Sequence, residues 1–266
     1  MEKTLSKFSA IAAIGEYFSL LFEVLKTSIY RPPALSLIFR QLFDVGVASL
    51  FVVLITGFAT GLVLAAQSFY QLEHTGLTSV TGLLVAKALL IEMGPVLTAF
   101  MVTGRVGASM CAEIGTMRVT EQIDALLTMS IHPLNYIVAP RMLAGTIMMP
   151  LLTIFNVFTG IYGGYLISVL YFHMAPMNFI EPIEAGISYF DLTIPFVKGI
   201  IFGIVAMSIA CFMGLRTTGG AAGVGRYTTI SVVITYITIL LVNFLLTMVL
   251  NDVNDAFFHP STSGLG

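Results

Sequence analysis

The chain has 266 residues, of which 57% are hydrophobic and only 10% charged, and its formal net charge is −2. With a mean hydropathy of +0.96 it lacks the polar surface to hold a folded chain of this length in water, so lipid must be part of its solvent. The balance of charge offers no basic field for nucleic acid, and Cys111 and Cys211 sit in apolar stretches as small core residues, which argues against a disulfide framework.

Lys3 and Lys7 precede an apolar patch at the N-terminus, but almost no apolar run precedes the small-residue site at Ala10 and Ala12, so a signal peptide is a poor reading. Phe8, Ile11, Phe18, Phe22, Leu25 and Ile29 recur at spacings near three and four, with Glu2, Ser9, Glu16 and Glu23 on the opposite face. Residues 1–30 therefore read as an amphipathic helix lying in the membrane interface.

A hydrocarbon core of about 30 Å needs about 20 apolar residues per helix, and five runs qualify, at about 45–66, 83–112, 142–170, 197–215 and 229–251. The expected architecture is all-α: an interfacial helix, a five-span domain over 31–252 and a tail at 253–266. Lys3, Lys7, Lys26, Arg31 and Arg40 precede the first span, Arg118 and Arg141 flank the second connection, and Arg216 and Arg226 flank the fourth. Residues 67–82, 173–194 and the tail carry no Lys or Arg but hold Glu73, Glu181, Glu184, Asp191, Asp252 and Asp255. This partition predicts the N-terminus inside and the C-terminus outside. Lys87 and Lys198 fall near predicted outer ends, where they would snorkel.

Within the second span, Glu92 and Arg105 are thirteen positions apart and cannot pair along one helix, so each requires its own protein or cavity environment. Gly57 with Gly61, Gly104 with Ala108, Gly160 with Gly164 and Gly199 with Gly203 repeat a small residue every four positions, the spacing that lets helices approach closely in lipid, chiefly within one subunit. After the second span, Gly115 predicts a break followed by a short helix at 120–129. Thr120 can cap it, Glu121 and Asp124 suit its N-terminal dipole, and Ile123, Leu126 and Leu127 form an apolar face. Such a helix is suited either to docking in a groove of a soluble partner or to lying flat on the membrane. The glycine-rich stretch at 219–225 reads as a flexible turn, and it lacks the lysine of a phosphate-binding loop.

The blocks Glu92-Met93-Gly94-Pro95-Val96-Leu97, Gly104-Arg105-Val106-Gly107, Ala112-Glu113-Ile114-Gly115-Thr116-Met117 and Thr120-Glu121-Gln122-Ile123-Asp124-Ala125-Leu126, followed by Pro133-Leu134 and Ala139-Pro140-Arg141, resemble the MlaE/YrbE family of ABC transporter permeases from lipid-transport systems. The resemblance implies a homodimer in the bacterial inner membrane that moves phospholipid or a related lipid. It also implies two separate ATPase subunits that bind ATP and Mg, an MCE-domain protein on the outer side and, in many such systems, a STAS-domain protein.

The same resemblance makes Thr120, Glu121, Gln122, Asp124 and Leu126 a cytoplasmic coupling helix. It places Glu92, Gly94 and Pro95 at a lipid cavity, and Arg105 and Glu113 toward the cytoplasmic end. Where the family often has a basic residue before the Glu-Leu-Gly-Pro block this chain has Ile91, and Lys87, one helical turn earlier, is the candidate to replace it.

The alternative is an ion-coupled secondary transporter using Glu92, against which stands the absence of a visible internal repeat. His74, His132, His173 and His259 lie at connections or in the tail without metal-ligand spacing, and nothing in the chain points to a catalytic centre or a bound cofactor.

Overall fold

The computed structural model describes residues 2–30 and 32–258, apart from the side chains of 2–11, 29 and 255–258. The readings that rest on the side chains of Glu2, Lys3, Lys7, Phe8, Ser9, Ala10, Ile11, Ile29 and Asp255, and on Arg31 and His259, lie outside that description. The described chain is helical throughout: α1 (Glu2–Tyr30), α2 (Leu35–Glu73), α3 (Thr78–Val119), α4 (Gln122–Thr128), α5 (Leu134–Leu170), α6 (Pro176–Gly186), α7 (Tyr189–Leu215) and α8 (Gly220–Phe258). Five of these, α2, α3, α5, α7 and α8, are long and apolar enough to cross a membrane, which makes the chain an all-α membrane protein.

Helix α5 is the hub of the bundle, with α2 on one side and α7 on the other. No hydrophobic effect draws helices together in lipid, so close packing and small residues must do so. A Cβ placed on Gly61 would run into the backbone of Gly160, and one placed on Gly57 would meet the carbonyl of Asn156. The Asn156 amide in turn donates to the Val53 carbonyl at 3.2 Å. On the other flank, Gly199 sits against Pro150, and Gly203 against the Gly145 carbonyl. These glycine pairs pack within one subunit, as expected. The pair Gly104 and Ala108 is partly open instead, and Gly104 faces the Tyr236 hydroxyl.

The core between the five spans is filled by Val45 and Val53 of α2, Ala99 and Val102 of α3, Met149 and Leu152 of α5, Phe202 and Met207 of α7, and Ile239 of α8. Most of α8 remains outside it, exposing Ile237, Leu241, Phe244, Leu245 and Met248. Apolar side chains on this scale are stable when covered by lipid or another membrane chain.

Several local expectations are corrected. Gly115 does not break α3, which continues to Val119; a side chain there would press on Thr217, so this glycine serves packing. The helix ends at Thr120 and Glu121, where Glu121 adopts a left-handed backbone with φ of 59°. The glycine-rich stretch turns only at Gly219 and at Gly220, the first residue of α8, both at positive φ, and is helical from there on. The connection after α5 contains a helix that was not anticipated, α6, opened by Pro176 at its first turn.

Helix α1 lies against the end of the bundle that carries α4. Val24 is buried with Ile123 and Ile137 in a second cluster, and the Tyr17 hydroxyl meets Ser208 Oγ at 2.7 Å. Phe18, Phe22 and Leu25 are exposed, as an interfacial face would be, and line an apolar groove with Met142 and Leu143 of α5 and Ile204 of α7. Glu16 and Glu23 are not merely solvated: the first lies 3.4 Å from Arg216, the second 3.8 Å from His132.

Replacing Gly61 by leucine is expected to separate α2 from α5 and destabilise the fold by about 1–3 kcal/mol, the usual result of overpacking a tight contact. Unfolding of the detergent-solubilised chain measures this, and a variant as stable as the parent would refute the role given to that contact.

Candidate functional site: a buried lysine and an open carboxylate

The site begins with a proline. In an α-helix the carbonyl of residue 91 accepts from the N–H of residue 95, but residue 95 is Pro95, which has none. The backbone responds with a π-helical turn over Leu89–Met93, whose loop is closed by the Gly94 N–H donating to the Leu89 carbonyl. A side chain at position 94 would collide with Val157 and the Leu89 carbonyl, so the glycine permits the turn.

The orphaned Ile91 carbonyl is taken by Lys198 from α7, whose ammonium donates to it at 2.8 Å. Lys198 also donates to Glu92 Oε1 at 3.0 Å and to Thr247 Oγ1 at 2.9 Å, using all three of its N–H donors. Glu92 is further held by the Thr247 hydroxyl on Oε1 at 2.6 Å and by the Asn243 amide on Oε2 at 2.7 Å. Three helices, α3, α7 and α8, therefore meet at one ion pair. The Lys198 side chain is 0% exposed, while that of Glu92 is 35% exposed. Lys198 is thus a structural centre of the site, not a snorkelling residue at a span end. Asn243 and Thr247 were missed in the sequence because an uncharged polar side chain in a 39-residue helix gives little signal by itself.

Lys87 does not join Glu92. It lies 3.7 Å from Asp191, a side chain only 9% exposed. Asp191 also accepts from the Ser188 N–H at 3.0 Å in the capping box that starts α7.

Arg105 and Glu113 occupy the other half of α3, apart from Glu92 as the spacing requires. Arg105 lies in a second π turn, Thr103–Gly107, and donates to Ser49 Oγ at 2.8 Å and to the Asp44 carbonyl at 3.4 Å. Asp44 is itself part of a π turn, Phe43–Val47 in α2. Glu113 accepts from Arg141 at 2.6 Å. Arg141 is buried, and its Nε and Nη1 have no hydrogen-bond partner among the described residues. Together Gln41, Asp44, Arg105, Ser109 and Glu113 line a polar recess of about 380 Å³.

At the α1 end, Thr120 does not cap α4: its hydroxyl donates to the Thr116 carbonyl at 2.8 Å and receives the Gln122 amide at 3.0 Å. Asp124 accepts from Arg118 at 2.8 Å, which ties the short helix to the end of α3. Ile123 is buried and Leu126 partly so, whereas Leu127 and Met129 are exposed at 54% and 67%.

Five spans, three of which meet at a carboxylate–ammonium cluster on a partly open helix face, define a polytopic membrane protein. The sequence pattern of the family described as Permease MlaE matches residues 38–249. The chain is 43% identical over 231 residues to a probable ABC transporter permease protein of Rickettsia felis, covering 86% of this chain and 89% of that one. It is 39% identical to a probable ABC transporter permease protein of Synechocystis over 78% and 79% of the two chains. It is 35% identical over 215 residues to the intermembrane phospholipid transport system permease protein MlaE of Haemophilus influenzae, covering 80% and 82%. The chain belongs to the MlaE family of ABC transporter permeases.

Removing one member of the Glu92–Lys198 pair leaves the other charge without compensation. Glu92→Gln is expected to destabilise by about 2–3 kcal/mol, toward the low end for a broken buried pair because Glu92 is partly solvated. Glu92→Gln combined with Lys198→Met should be less unstable than the sum of the two single variants in detergent unfolding, although the Ile91 carbonyl then lacks its lysine donor; a double variant as unstable as that sum would refute the pairing.

Proposed function

We propose that the chain is the membrane subunit of a bacterial inner-membrane transporter that moves phospholipid between that membrane and an MCE-domain carrier on the outer side, driven by two separate ATPase subunits. The observation that carries this reading is the Glu92 cluster: a polar centre at the depth of the spans, on an open face of a chain whose family relative in Haemophilus is an intermembrane phospholipid permease. A phospholipid needs an apolar surface for its acyl chains and a few polar groups for its headgroup. The exposed apolar surface of α8 and the partly open Glu92 match those needs.

The open face of a single chain is completed in a homodimer, which places two Glu92 clusters about one shared lipid cavity. The distribution of Lys and Arg puts α1 and α4 in the cytoplasm, α6 outside, and the C-terminal tail outside. Helix α4 is then the coupling helix. Its Thr120, Glu121, Gln122, Asp124 and Leu126 segment is braced by the Arg118–Asp124 pair, and Leu127 and Met129 stand ready to enter a groove on the ATPase. ATP and Mg belong to that partner, and a STAS-domain protein accompanies it. Ion-coupled transport through Glu92 is the weaker reading, since the carboxylate is already occupied by lysine, threonine and asparagine donors and five spans offer no repeated halves.

Co-purification tests the reading: the chain should bring down an ATPase, and lipid movement between vesicles should stop when that partner's phosphate loop is broken. Leu127→Glu with Met129→Glu should weaken association with the ATPase by about tenfold or more, as loss of an interface anchor does, while leaving the fold intact. Undiminished association would remove α4 from the coupling role.

A further inference from the structure

We propose that Glu113 and Arg141 are positioning residues of the transport cycle, and that their ion pair is the crossbar through which movement of α4 reaches the spans. This rests on the coupling role given to α4 and goes beyond it by naming where the movement is passed on.

Helix α4 hangs between α3 and α5, two residues after the end of one and five before the start of the other. Glu113 lies about 10 Å back from the end of α3, and Arg141 about 10 Å beyond the start of α5. Their 2.6 Å contact therefore ties the two helices together just behind α4. On the α3 side α4 is pinned directly, by Arg118 to Asp124 at 2.8 Å. On the α5 side only the turn at 129–133 connects it, with Ser130 at positive φ, and no ion pair joins α4 to α5 among the described residues. A push on α4 thus enters α3 first. The crossbar hands it to α5, the hub on which α2 and α7 pack.

The pair is built to shift. Its carboxylate is on the water side and its guanidinium is dry: the Glu113 side chain is 62% exposed, that of Arg141 7%. Glu113 also lines the polar recess between α2 and α3, so open space lies beside it. A guanidinium carries five N–H donors in a planar fork. Glu113 holds Nη2 alone, and the one donor on Nε and the two on Nη1 have no partner among the described residues. Dry, unmatched donors are costly, and this arrangement is one end of a movement. Nε and Nη2 share an edge of the guanidinium, so a small slide of α3 along α5 converts the one-point contact into a two-point grip, the stronger geometry. The same slide moves Glu92, further along α3, relative to α7, which α5 holds at Pro150 against Gly199.

The test uses the full chain reconstituted in proteoliposomes with the ATPase that it brings down, and reads ATP hydrolysed and phospholipid moved in the same sample. Glu113→Gln keeps the shape of the side chain and loses its charge. Lipid moved per ATP is expected to fall about tenfold, the effect of losing one charge-assisted hydrogen bond, while the ATPase stays bound and goes on hydrolysing. Arg141→Lys keeps a one-point contact but has no fork, and the same uncoupling is expected. Lipid moved per ATP equal to that of the parent in both variants overturns the proposal. So does a parallel loss of hydrolysis and transport in both, which marks a purely structural pair; either result leaves the coupling role of α4 standing. A parent chain that brings down no ATPase overturns both.

Discussion

The bundle depends on how closely α2 and α5 approach. In water their apolar faces would be driven together by burial, but in lipid that drive is absent and contact geometry must supply the attraction. The two helices meet backbone to backbone, at Gly61 with Gly160 and at Gly57 with Asn156. The amide of Asn156 adds a directional bond to the Val53 carbonyl. Once this pair is rigid, α5 presents its other flank to α7 through Gly145 and Pro150. Helix α7 then has a fixed position from which Lys198 can reach α3. The geometry of the polar cluster is inherited from glycines that lie elsewhere.

The same economy of means appears at Pro95. One missing N–H produces an unpaired carbonyl at Ile91, and an unpaired carbonyl inside a membrane domain must find a donor. A lysine on the neighbouring helix meets that need, and the lysine in turn requires a carboxylate. Proline, lysine and glutamate thus form a causal chain, with Thr247 and Asn243 filling the remaining valences. Arg105 repeats the pattern on a smaller scale, serving a carbonyl in the π turn at Asp44 and the hydroxyl of Ser49.

Most of the architecture was legible in one dimension, because lipid imposes length and apolarity on every span and the small-residue spacings mark where helices touch. The site was harder to read. Glu92, Gly94 and Pro95 stand together in the sequence, yet the distance of Lys198 from a span end points to snorkelling, a measure blind to what faces it across α3. Counting backbone donors would have found the gap at Pro95 and shown that some donor must fill it, though not which. Lys87, by its place one turn before Ile91, reads as a stand-in for the basic residue missing there, and the tertiary structure pairs it with Asp191. Gly115 reads as a break since glycine weakens helices, but here the need for room beside Thr217 prevails. Thr120 lost the capping role when Glu121 took the left-handed conformation and turned the chain before α4 began.

The π turns have a consequence for how such a chain changes over time. Each holds one more residue than an α turn would in the same space, so it is the trace that a single-residue insertion leaves in a helix. In α3 two of them, Leu89–Met93 and Thr103–Gly107, divide the span into three segments whose faces are set independently. Losing one residue from the first would restore α geometry and rotate one segment against the next by about 100°, turning Lys87 away from Asp191 while Glu92 kept its partner, or the reverse. Length in this helix is therefore a matter of phase: a deletion there shortens the span by little and re-aims everything beyond it.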